Sequence, residues 1–208
     1  MIQTIIGICG GSGSGKTMLA KELTLILGRD ITLYLSLDDF YYDFVKRGLD
    51  PAKINYDHPD SLDIEELANV LKKLRSGKAT RIPQYNFSTH SRYSEFRLVE
   101  PKSYIILEGL FLFNIPALAS LFHVKLFVDA PEEVRFKRRC ERDIKERNQT
   151  QESINRQYRE LVKPMHLEFV EPNRHLADII IDGEKTFAEE IPKILPLINQ
   201  ADPAELRA

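Results

Sequence analysis

The stretch Gly10-Gly11-Ser12-Gly13-Ser14-Gly15-Lys16-Thr17 decides the fold of this 208-residue chain. It satisfies GxxxxGK[ST], directly follows the apolar run Thr4–Cys9, and precedes an amphipathic run that starts at Leu19. Glycines lack a Cβ, so consecutive backbone N–H groups can wrap a phosphate, and the following helix N-terminus adds positive charge. The pattern predicts a phosphate-binding loop over residues 10–17, in which Lys16 reaches the β- and γ-phosphates and Thr17 ligates Mg²⁺.

Apolar, β-branched runs recur along the chain and alternate with helix-like patterns. The runs are Thr4–Cys9, Thr32–Ser36, Ser103–Leu107, Val124–Val128 and Ala177–Ile181. Helices are predicted after Asp63, which forms a capping-box pattern with Glu66, from about Pro131 to Arg147, and from about Gln151 to Pro164. This alternation favours one α/β domain of the P-loop NTPase type, with three layers and a parallel central sheet flanked by helices.

Two segments interrupt the alternation. Residues 79–101 are polar, aromatic and strand-like, and we expect a β-hairpin insertion that binds the acceptor. Residues 131–162 form an arginine-rich helix and lid region, in which Val134 and Ile144 are expected to contribute to the buried face and Asn148–Thr150 to form a mobile turn. The residues from Gln200 onward read as a loosely held tail.

The composition bounds the class of protein. Hydrophobic residues at 43% and charged residues at 29% are ordinary for a globular domain. The net charge of −2 provides no global attraction to nucleic acid or to anionic lipid. Cys9 and Cys140 have neither metal-site nor disulfide spacing, and the chain lacks a signal-peptide pattern, so a cytoplasmic protein is expected. Tyr104–Phe122 is interrupted by Glu108 and Pro116, which argues against a membrane span.

Carboxylates lie near the ends of two predicted strands. Asp38 and Asp39 follow Thr32–Ser36, and Glu108 follows Ser103–Leu107. Ligands of open parallel sheets bind beyond the carboxyl ends of the strands, so these acids are expected to face the phosphate loop. Asp38 and Glu108 are the candidates for holding Mg²⁺, and Asp38 for taking the proton of an acceptor hydroxyl. Asp39 is expected to point elsewhere.

The phosphate loop alone does not separate kinases from GTPases or mechanical ATPases. The chain has no NKxD to read guanine and no LSGGQ-like segment. These absences weaken both alternatives, and the remaining motifs decide.

Several segments from the phosphate loop to Ile181 together resemble the uridine kinase (uridine-cytidine kinase) family. Leu35-Ser-Leu-Asp38-Asp-Phe-Tyr41 resembles the family's strand end with its catalytic Asp. Asn55-Tyr-Asp57-His-Pro-Asp-Ser-Leu-Asp63 is similar to NFDHPDAFD, and Pro83-Gln-Tyr85-Asn-Phe87-Ser-Thr-His90-Ser-Arg92 to PxYDFxxHSR. Leu107-Glu108-Gly109 resembles FEG, Arg138-Arg139-Cys-Glu-Arg142-Asp143 resembles RRxxRD, and Val162–Val170 resembles the VKP segment.

The resemblance implies a kinase that transfers the γ-phosphate of ATP or GTP to the 5′-hydroxyl of uridine or cytidine. It implies that Asp38 is the general base, and that Thr17, Asp38 and Glu108 hold Mg²⁺ directly or through water. Asp57 and Arg139 would bind the ribose 2′- and 3′-hydroxyls. The remaining nucleoside contacts would be Tyr85, Phe87 and His90 around the base, and Gln157. It also implies a homo-oligomer, often a tetramer.

Arginines recur at helical spacing in the segment from Arg135 to Arg147. Alone they would form a solvated basic face, but beside a phosphate site they read as a lid that brings Arg142 and Arg147 to the triphosphate. The family commonly has ERGR where this chain has Glu146-Arg147-Asn148-Gln149, so one lid arginine is replaced by Gln149. The alternatives are a kinase of phosphoribulokinase or pantothenate kinase type, and a nucleotide-regulated binding protein with weak activity.

Overall fold

A computed structural model describes residues 3–147 and 149–201 of the chain. The strands of its described part are β1 (Thr4–Gly10), β2 (Thr32–Ser36), β3 (Thr80–Ile82), β4 (Tyr85–Asn86), β5 (Ser91–Arg92), β6 (Arg97–Val99), β7 (Tyr104–Gly109), β8 (Val124–Asp129) and β9 (Ile179–Asp182). The α-helices are α1 (Lys16–Leu27), α2 (Ile64–Arg75), α3 (Pro116–Ala119), α4 (Glu132–Arg147), α5 (Gln151–Gln157), α6 (Lys163–Met165) and α7 (Phe187–Ala201). Short 3₁₀ turns cover Leu37–Phe40, Pro51–Lys53 and Pro59–Ser61.

The central sheet is parallel and has the strand order β2-β7-β1-β8-β9. Strand β1 lies in the middle and is buried on both faces. Ile5 and Cys9 pack on the side of α2, whereas Ile6 and Ile8 pack on the side of α1 and α7. Burial on both faces explains why β1 reads as a continuous apolar run instead of an alternating one. The predicted three-layer α/β fold is confirmed.

An antiparallel ribbon lies between α2 and β7. Strand β3 pairs with β6, and β4 pairs with β5. Arg92 in β5 ties the ribbon to α2 and to the turn after β2, because its Nη1 donates to Glu66 Oε2 at 2.8 Å and its Nε to the Tyr41 carbonyl at 2.7 Å. Asp63 caps α2 by accepting from the Glu66 N–H, but the Glu66 side chain serves Arg92 and does not complete a capping box.

Helix α4 buries charged residues where the sequence suggested apolar ones. Ile144 is 47% exposed, so the prediction that it contributes to the buried face is wrong. Val134 is half-buried. The buried residues of this helix are Arg135, Arg139, Cys140 and Asp143. The inner face of α4 packs against the phosphate loop, whose carbonyls and hydroxyls accept hydrogen bonds from guanidinium groups. Because the phosphate loop offers polar partners, the buried face of α4 is charged, whereas the buried face of a helix is usually apolar.

The helical run after α5 continues past Pro164, contrary to prediction. It passes through a π-helical turn at Tyr158–Val162, α6, a second π-helical turn at His166–Val170 and a 3₁₀ segment at Glu171–Leu176. The Lys163 N–H bonds to the Tyr158 carbonyl, five residues back. Wide turns on both sides of the proline accommodate its ring and its missing N–H, so the axis continues.

None of the described helices is both long and apolar enough to cross a membrane. The predicted turn at Asn148–Thr150 falls partly outside the described residues, because Asn148 is not among them. The predicted tail is likewise outside them from residue 202 onward, and α7 itself extends to Ala201.

Candidate active site

The phosphate loop joins the end of β1 to the start of α1. Gly13 and Gly15 have φ angles of 80° and 104°, which favour glycine, and Gly15 is the N-cap of α1. A Cβ on Gly13 would collide with the backbone carbonyl of Arg135. Lys16 and Thr17 form the first turn of α1, where the free N–H groups of the helix attract anions. The loop therefore has both the backbone and the tight packing that a phosphate cradle needs.

Arginines of α4 line one side of this loop. Arg138 Nη1 donates to the Gly183 carbonyl at 2.9 Å and lies 3.4 Å from the Gly13 carbonyl. The Ser12 hydroxyl accepts from Arg139 Nη1 at 3.1 Å and from Arg142 Nη2 at 3.4 Å. Arg142, predicted to act on the triphosphate, thus lies beside the phosphate loop in the free protein.

Glu108 lies within β7, one residue before its end, and is 3% exposed. Its register neighbours are Ile8 on β1 and Ser36 on β2, which puts it beside the phosphate loop as predicted. Burial raises the pKa of Glu108, and the positive charge of Lys16 partly offsets that effect. Tyr34 Oη and Ser36 Oγ donate to the same oxygen, Oε1, at 3.1 and 2.8 Å. Both of these hydrogen bonds therefore fix the Oε1 side of the carboxylate.

Asp38 stands in the 3₁₀ turn that follows β2, and its backbone N–H bonds to Ser36 Oγ at 3.3 Å. Its negative charge raises the pKa of both Glu108 and Asp57, so Asp38 lies within electrostatic reach of both carboxyls. Asp39 does point elsewhere: it accepts from the backbone N–H of Tyr85 and faces Arg97. The two adjacent acids thus serve the site and the ribbon respectively.

The oxygen donors around the phosphate loop suit Mg²⁺ when a nucleotide supplies the other ligands. The described residues contain no cluster of three or more His, Cys, Asp or Glu side chains arranged to hold a metal by themselves. Mg²⁺ commonly takes one or two carboxylates together with phosphate oxygens and water. That Thr17, Asp38 and Glu108 supply such a partial set stays a prediction.

Asp57 and Arg139, the two residues that the resemblance assigns to the ribose, form an ion pair. Asp57 Oδ1 lies 3.7 Å from Arg139 Nη1, and the two side chains are 15% and 9% exposed. Burial raises the pKa of Asp57, whereas the charge of Arg139 lowers it. At this separation the carboxylate is paired in charge but keeps lone pairs for other donors.

Asp143, fully buried on α4, neutralises the surrounding arginines. Arg142 Nη2 lies 2.8 Å and Arg147 Nε 3.5 Å from its Oδ1, and Arg139 Nε lies 3.2 Å from its Oδ2. The Arg139 contact is an ion pair without hydrogen-bond alignment. Asp143 belongs to the RRxxRD segment, which does not by itself indicate a role for it. One buried acid therefore holds three guanidinium groups in place.

Aromatic rings form a pocket next to this ion pair. Tyr85 packs against Phe87 with ring centroids 5.2 Å apart, and Tyr56 packs on His90 at 5.3 Å. The Tyr41 ring packs against the rings of Tyr56, Tyr85 and Phe87. His90 is the non-glycine residue with positive φ in the described chain, and burial lowers its pKa, so its ring is neutral at pH 7. The structure thus brings the three predicted base-contacting residues together.

Arg147 lies in the aromatic pocket. Its guanidinium carbon is 4.2 Å from the centroid of the Phe87 ring, and its charge lowers the pKa of His90. The sequence had placed Arg147 at the triphosphate, a role that stays a prediction. Gln157 is the half-buried last residue of α5, and its contact with the acceptor also stays a prediction.

Sequence reasoning missed two tyrosines that shape the site. Tyr34 supports Glu108, and Tyr56 forms part of the aromatic pocket. Tyr34 sits inside a strand, where an aromatic residue normally signals packing. Tyr56 precedes Asp57 directly, which was the available signal for it.

A family model described as the phosphoribulokinase/uridine kinase family matches residues 5–188. The chain is 42% identical over 180 residues to a protein named uridine kinase from Chloroflexus aggregans, with 86% of each chain covered. It is 43% identical over 190 residues to a uridine kinase from Ligilactobacillus salivarius, covering 90% of this chain and 89% of the relative.

Solved structures share the fold at lower identity. A possible uridine kinase from Bacillus stearothermophilus superposes with a TM-score of 0.60 at 21% identity, covering 88% of this chain and 90% of the other. Phosphoribulokinase from Rhodobacter spheroides superposes with a TM-score of 0.65 at 15% identity, covering 86% and 70%. At such identities the likeness shows the fold alone.

Proposed function

This chain belongs to the phosphoribulokinase/uridine kinase family, and we propose that it is a uridine kinase that transfers the γ-phosphate of ATP or GTP to the 5′-hydroxyl of uridine or cytidine. One observation carries the choice of acceptor. Arg139 touches the phosphate loop through the Ser12 hydroxyl at 3.1 Å and pairs with Asp57 at 3.7 Å. A single guanidinium therefore links the donor site to a carboxylate suited to a vicinal diol.

The donor side positions charge around the triphosphate. The backbone N–H groups of the loop and of the α1 N-terminus bind phosphate oxygens, and Lys16 reaches the β- and γ-phosphates. Arg142, held by Asp143 beside Ser12, is placed to stabilise the charge that spreads over the transferring group.

Mg²⁺ bound with the nucleotide would supply charge neutralisation between the β- and γ-phosphates. The residues that would hold it are Thr17, Asp38 and Glu108, directly or through water. Tyr34 and Ser36 support this carboxylate, because both donate a hydrogen bond to Glu108 Oε1.

The acceptor side orients a ribonucleoside. Asp57 accepts hydrogen bonds from the ribose 2′- and 3′-hydroxyls, Arg139 donates to them, and the Tyr85, Phe87 and His90 side chains enclose the base. Asp38, whose charge acts on both Glu108 and Asp57, takes the proton of the 5′-hydroxyl as the hydroxyl oxygen bonds to the γ-phosphorus and the bond from that phosphorus to the β-phosphate oxygen breaks. Positioning of both substrates, more than acid–base strength, provides the rate.

The acceptor panel tests this proposal. The full-length protein is incubated with Mg-ATP and, separately, with uridine, cytidine, adenosine, guanosine, pantothenate and ribulose 5-phosphate, and phosphorylated products are resolved by chromatography. Uridine or cytidine is expected to be the preferred acceptor. Transfer to pantothenate or ribulose 5-phosphate alone would replace the proposal with another kinase reaction, and nucleotide binding without any transfer would favour a regulated binding protein.

The donor preference for ATP over GTP is measured in the same assay. Location in the cytoplasm and assembly into a homo-oligomer stay predictions.

A further inference from the structure

Arg135 and His166 together cover the phosphate loop at Gly11. A Cβ on this glycine would lie 2.7 Å from Arg135 Nη1 and 3.0 Å from His166 Cε1, which leaves no room for a side chain. The backbone carbonyl of Arg135 packs just as closely against Gly13. One residue of α4, only 7% exposed, therefore holds the loop backbone at two glycines, and the N–H groups around them belong to the phosphate cradle.

The Arg135 guanidinium is itself held at two of its nitrogens. Its Nε donates to the Ala130 carbonyl at 3.0 Å, and its Nη1 lies 3.5 Å from His166 Nδ1. Burial and the charge of Arg135 lower the pKa of His166 to about 4, so the ring is neutral at pH 7. A guanidinium carries only donors, so Nδ1 is the acceptor in this contact and the proton of the neutral ring is on Nε2.

The π-helical turn at His166–Val170 gives the imidazole its second neighbour. The Glu171 N–H bonds to the His166 carbonyl, five residues back, so the wide turn brings Glu171 close to His166 along the helix axis. Glu171 Oε2 lies 3.5 Å from His166 Nε2, the ring nitrogen that carries the proton. Arg174 lies 3.4 Å from the other Glu171 oxygen and 3.0 Å from Asp129, the last residue of β8. The imidazole, 12% exposed, is thus oriented from both sides.

We propose that His166 is a positioning residue for nucleotide binding, which accepts from Arg135, fixes its guanidinium against Gly11 and thereby holds the phosphate loop in the shape that binds a triphosphate. Without the acceptor, the long arginine side chain can leave this position, and the loop loses the surface on which it packs. The inference rests on the donor side of the proposed function. It extends that function because it assigns a task to the helical run after α5, which otherwise contributes no residue to the donor site.

Two substitutions at the same position separate hydrogen bonding from packing. His166→Leu keeps an apolar side chain of similar bulk but offers Arg135 no acceptor. His166→Asn keeps an acceptor, because its side-chain oxygen can take a position near that of Nδ1. His175→Leu is the matched control, since His175 is an exposed histidine of the same helical run. The midpoint of thermal unfolding shows which variants are folded, and His166→Phe takes the place of His166→Leu if the latter does not fold.

Isothermal titration calorimetry measures Kd for Mg-ATP without any nucleoside, and steady-state kinetics measure KM for ATP and for uridine. His166→Leu is expected to raise Kd and KM for ATP about three- to tenfold, the effect of losing one long hydrogen bond, while KM for uridine stays within about twofold. His166→Asn is expected to stay within about twofold of the wild type in Kd for Mg-ATP. His175→Leu is expected to behave as the wild type.

Three outcomes overturn the inference. If the folded apolar variant binds Mg-ATP within about twofold of the wild type, His166 does not position the loop. If His166→Asn loses as much ATP affinity as His166→Leu, the acceptor is not the cause. If KM for uridine rises as much as KM for ATP, the change disturbs the whole site. A wild type that phosphorylates no ribonucleoside would instead refute the proposed function, and the calorimetry would still decide this inference.

Discussion

Replacing Asp57 by asparagine should weaken nucleoside use far more than nucleotide use. The Asp57 side chain is 15% exposed, and its Oδ1 lies 3.7 Å from Arg139 Nη1. Its negative charge is therefore part of the proposed ribose site. Asparagine keeps the volume and one acceptor oxygen but loses the negative charge. Hydrogen bonds to charged groups contribute about 1 kcal/mol more than neutral ones, so two ribose hydroxyls lose about 2 kcal/mol together. This corresponds to about a thirtyfold loss in kcat/KM for uridine.

The same variant should lose part of its discrimination against 2′-deoxyuridine. In the wild type, removing the 2′-hydroxyl deletes a bond to a carboxylate, whereas in Asp57→Asn it deletes a bond to a neutral amide. The difference of about 1 kcal/mol predicts that the uridine to deoxyuridine preference falls about fivefold. Arg139 keeps its contact with Asp143 at 3.2 Å, so the folded state should survive the change.

Steady-state kinetics with uridine, 2′-deoxyuridine and ATP measure these effects. Asp60→Asn is the control, because Asp60 lies in the same segment with a side chain that is 92% exposed. An unchanged preference for uridine over deoxyuridine in a folded Asp57→Asn protein would refute a ribose-binding role. A rise in KM for ATP equal to that for uridine would refute the assignment of Asp57 to the acceptor site.

The remaining predictions concern the pocket, the pH dependence and the Glu108 support. Arg147→Met should raise KM for uridine about tenfold with KM for ATP within about twofold, because the guanidinium lies over Phe87; the reverse pattern would support the triphosphate role predicted from sequence. Burial raises the pKa of Asp57, so this carboxylate becomes protonated at a higher pH than a typical carboxyl. KM for uridine should therefore rise as the pH is lowered. The same pH dependence of KM in Asp57→Asn as in the wild type would contradict this. Tyr34→Phe removes one of the two hydrogen bonds that Glu108 accepts. In a metal titration, this variant should need about three- to tenfold more Mg²⁺ to reach half of its maximal rate. An unchanged Mg²⁺ requirement would mean that Ser36 alone holds the carboxylate.

Local patterns were sufficient to predict the frame of the molecule. The phosphate loop depends on a short run of glycines between a strand and a helix, and β2 begins and ends at the predicted residues Thr32 and Ser36. These features arise within a few residues of each other, so their signal is contained in the sequence itself.

Features that depend on distant partners could not be predicted in the same way. Arg139 can be buried on α4 because the Ser12 hydroxyl of the phosphate loop accepts its hydrogen bond, and Arg135 because the Ala130 carbonyl accepts from its Nε. Pro164 is accommodated by π-helical turns that no propensity scale anticipates. The support of Glu108 by Tyr34 crosses from β2 to β7, and residue spacing along the chain does not encode that contact.

The most direct test of the phosphoryl-transfer account is the position of the new phosphate in the product. The protein is incubated with Mg-ATP and uridine, and ³¹P and ¹H NMR spectra identify the phosphorylated hydroxyl, with Asp38→Asn measured in parallel for turnover and for ATP binding. Uridine 5′-monophosphate is the expected product of the wild type, and Asp38→Asn is expected to lose nearly all turnover while it still binds ATP. A phosphate on the 2′- or 3′-hydroxyl, or wild-type turnover in Asp38→Asn, would contradict it.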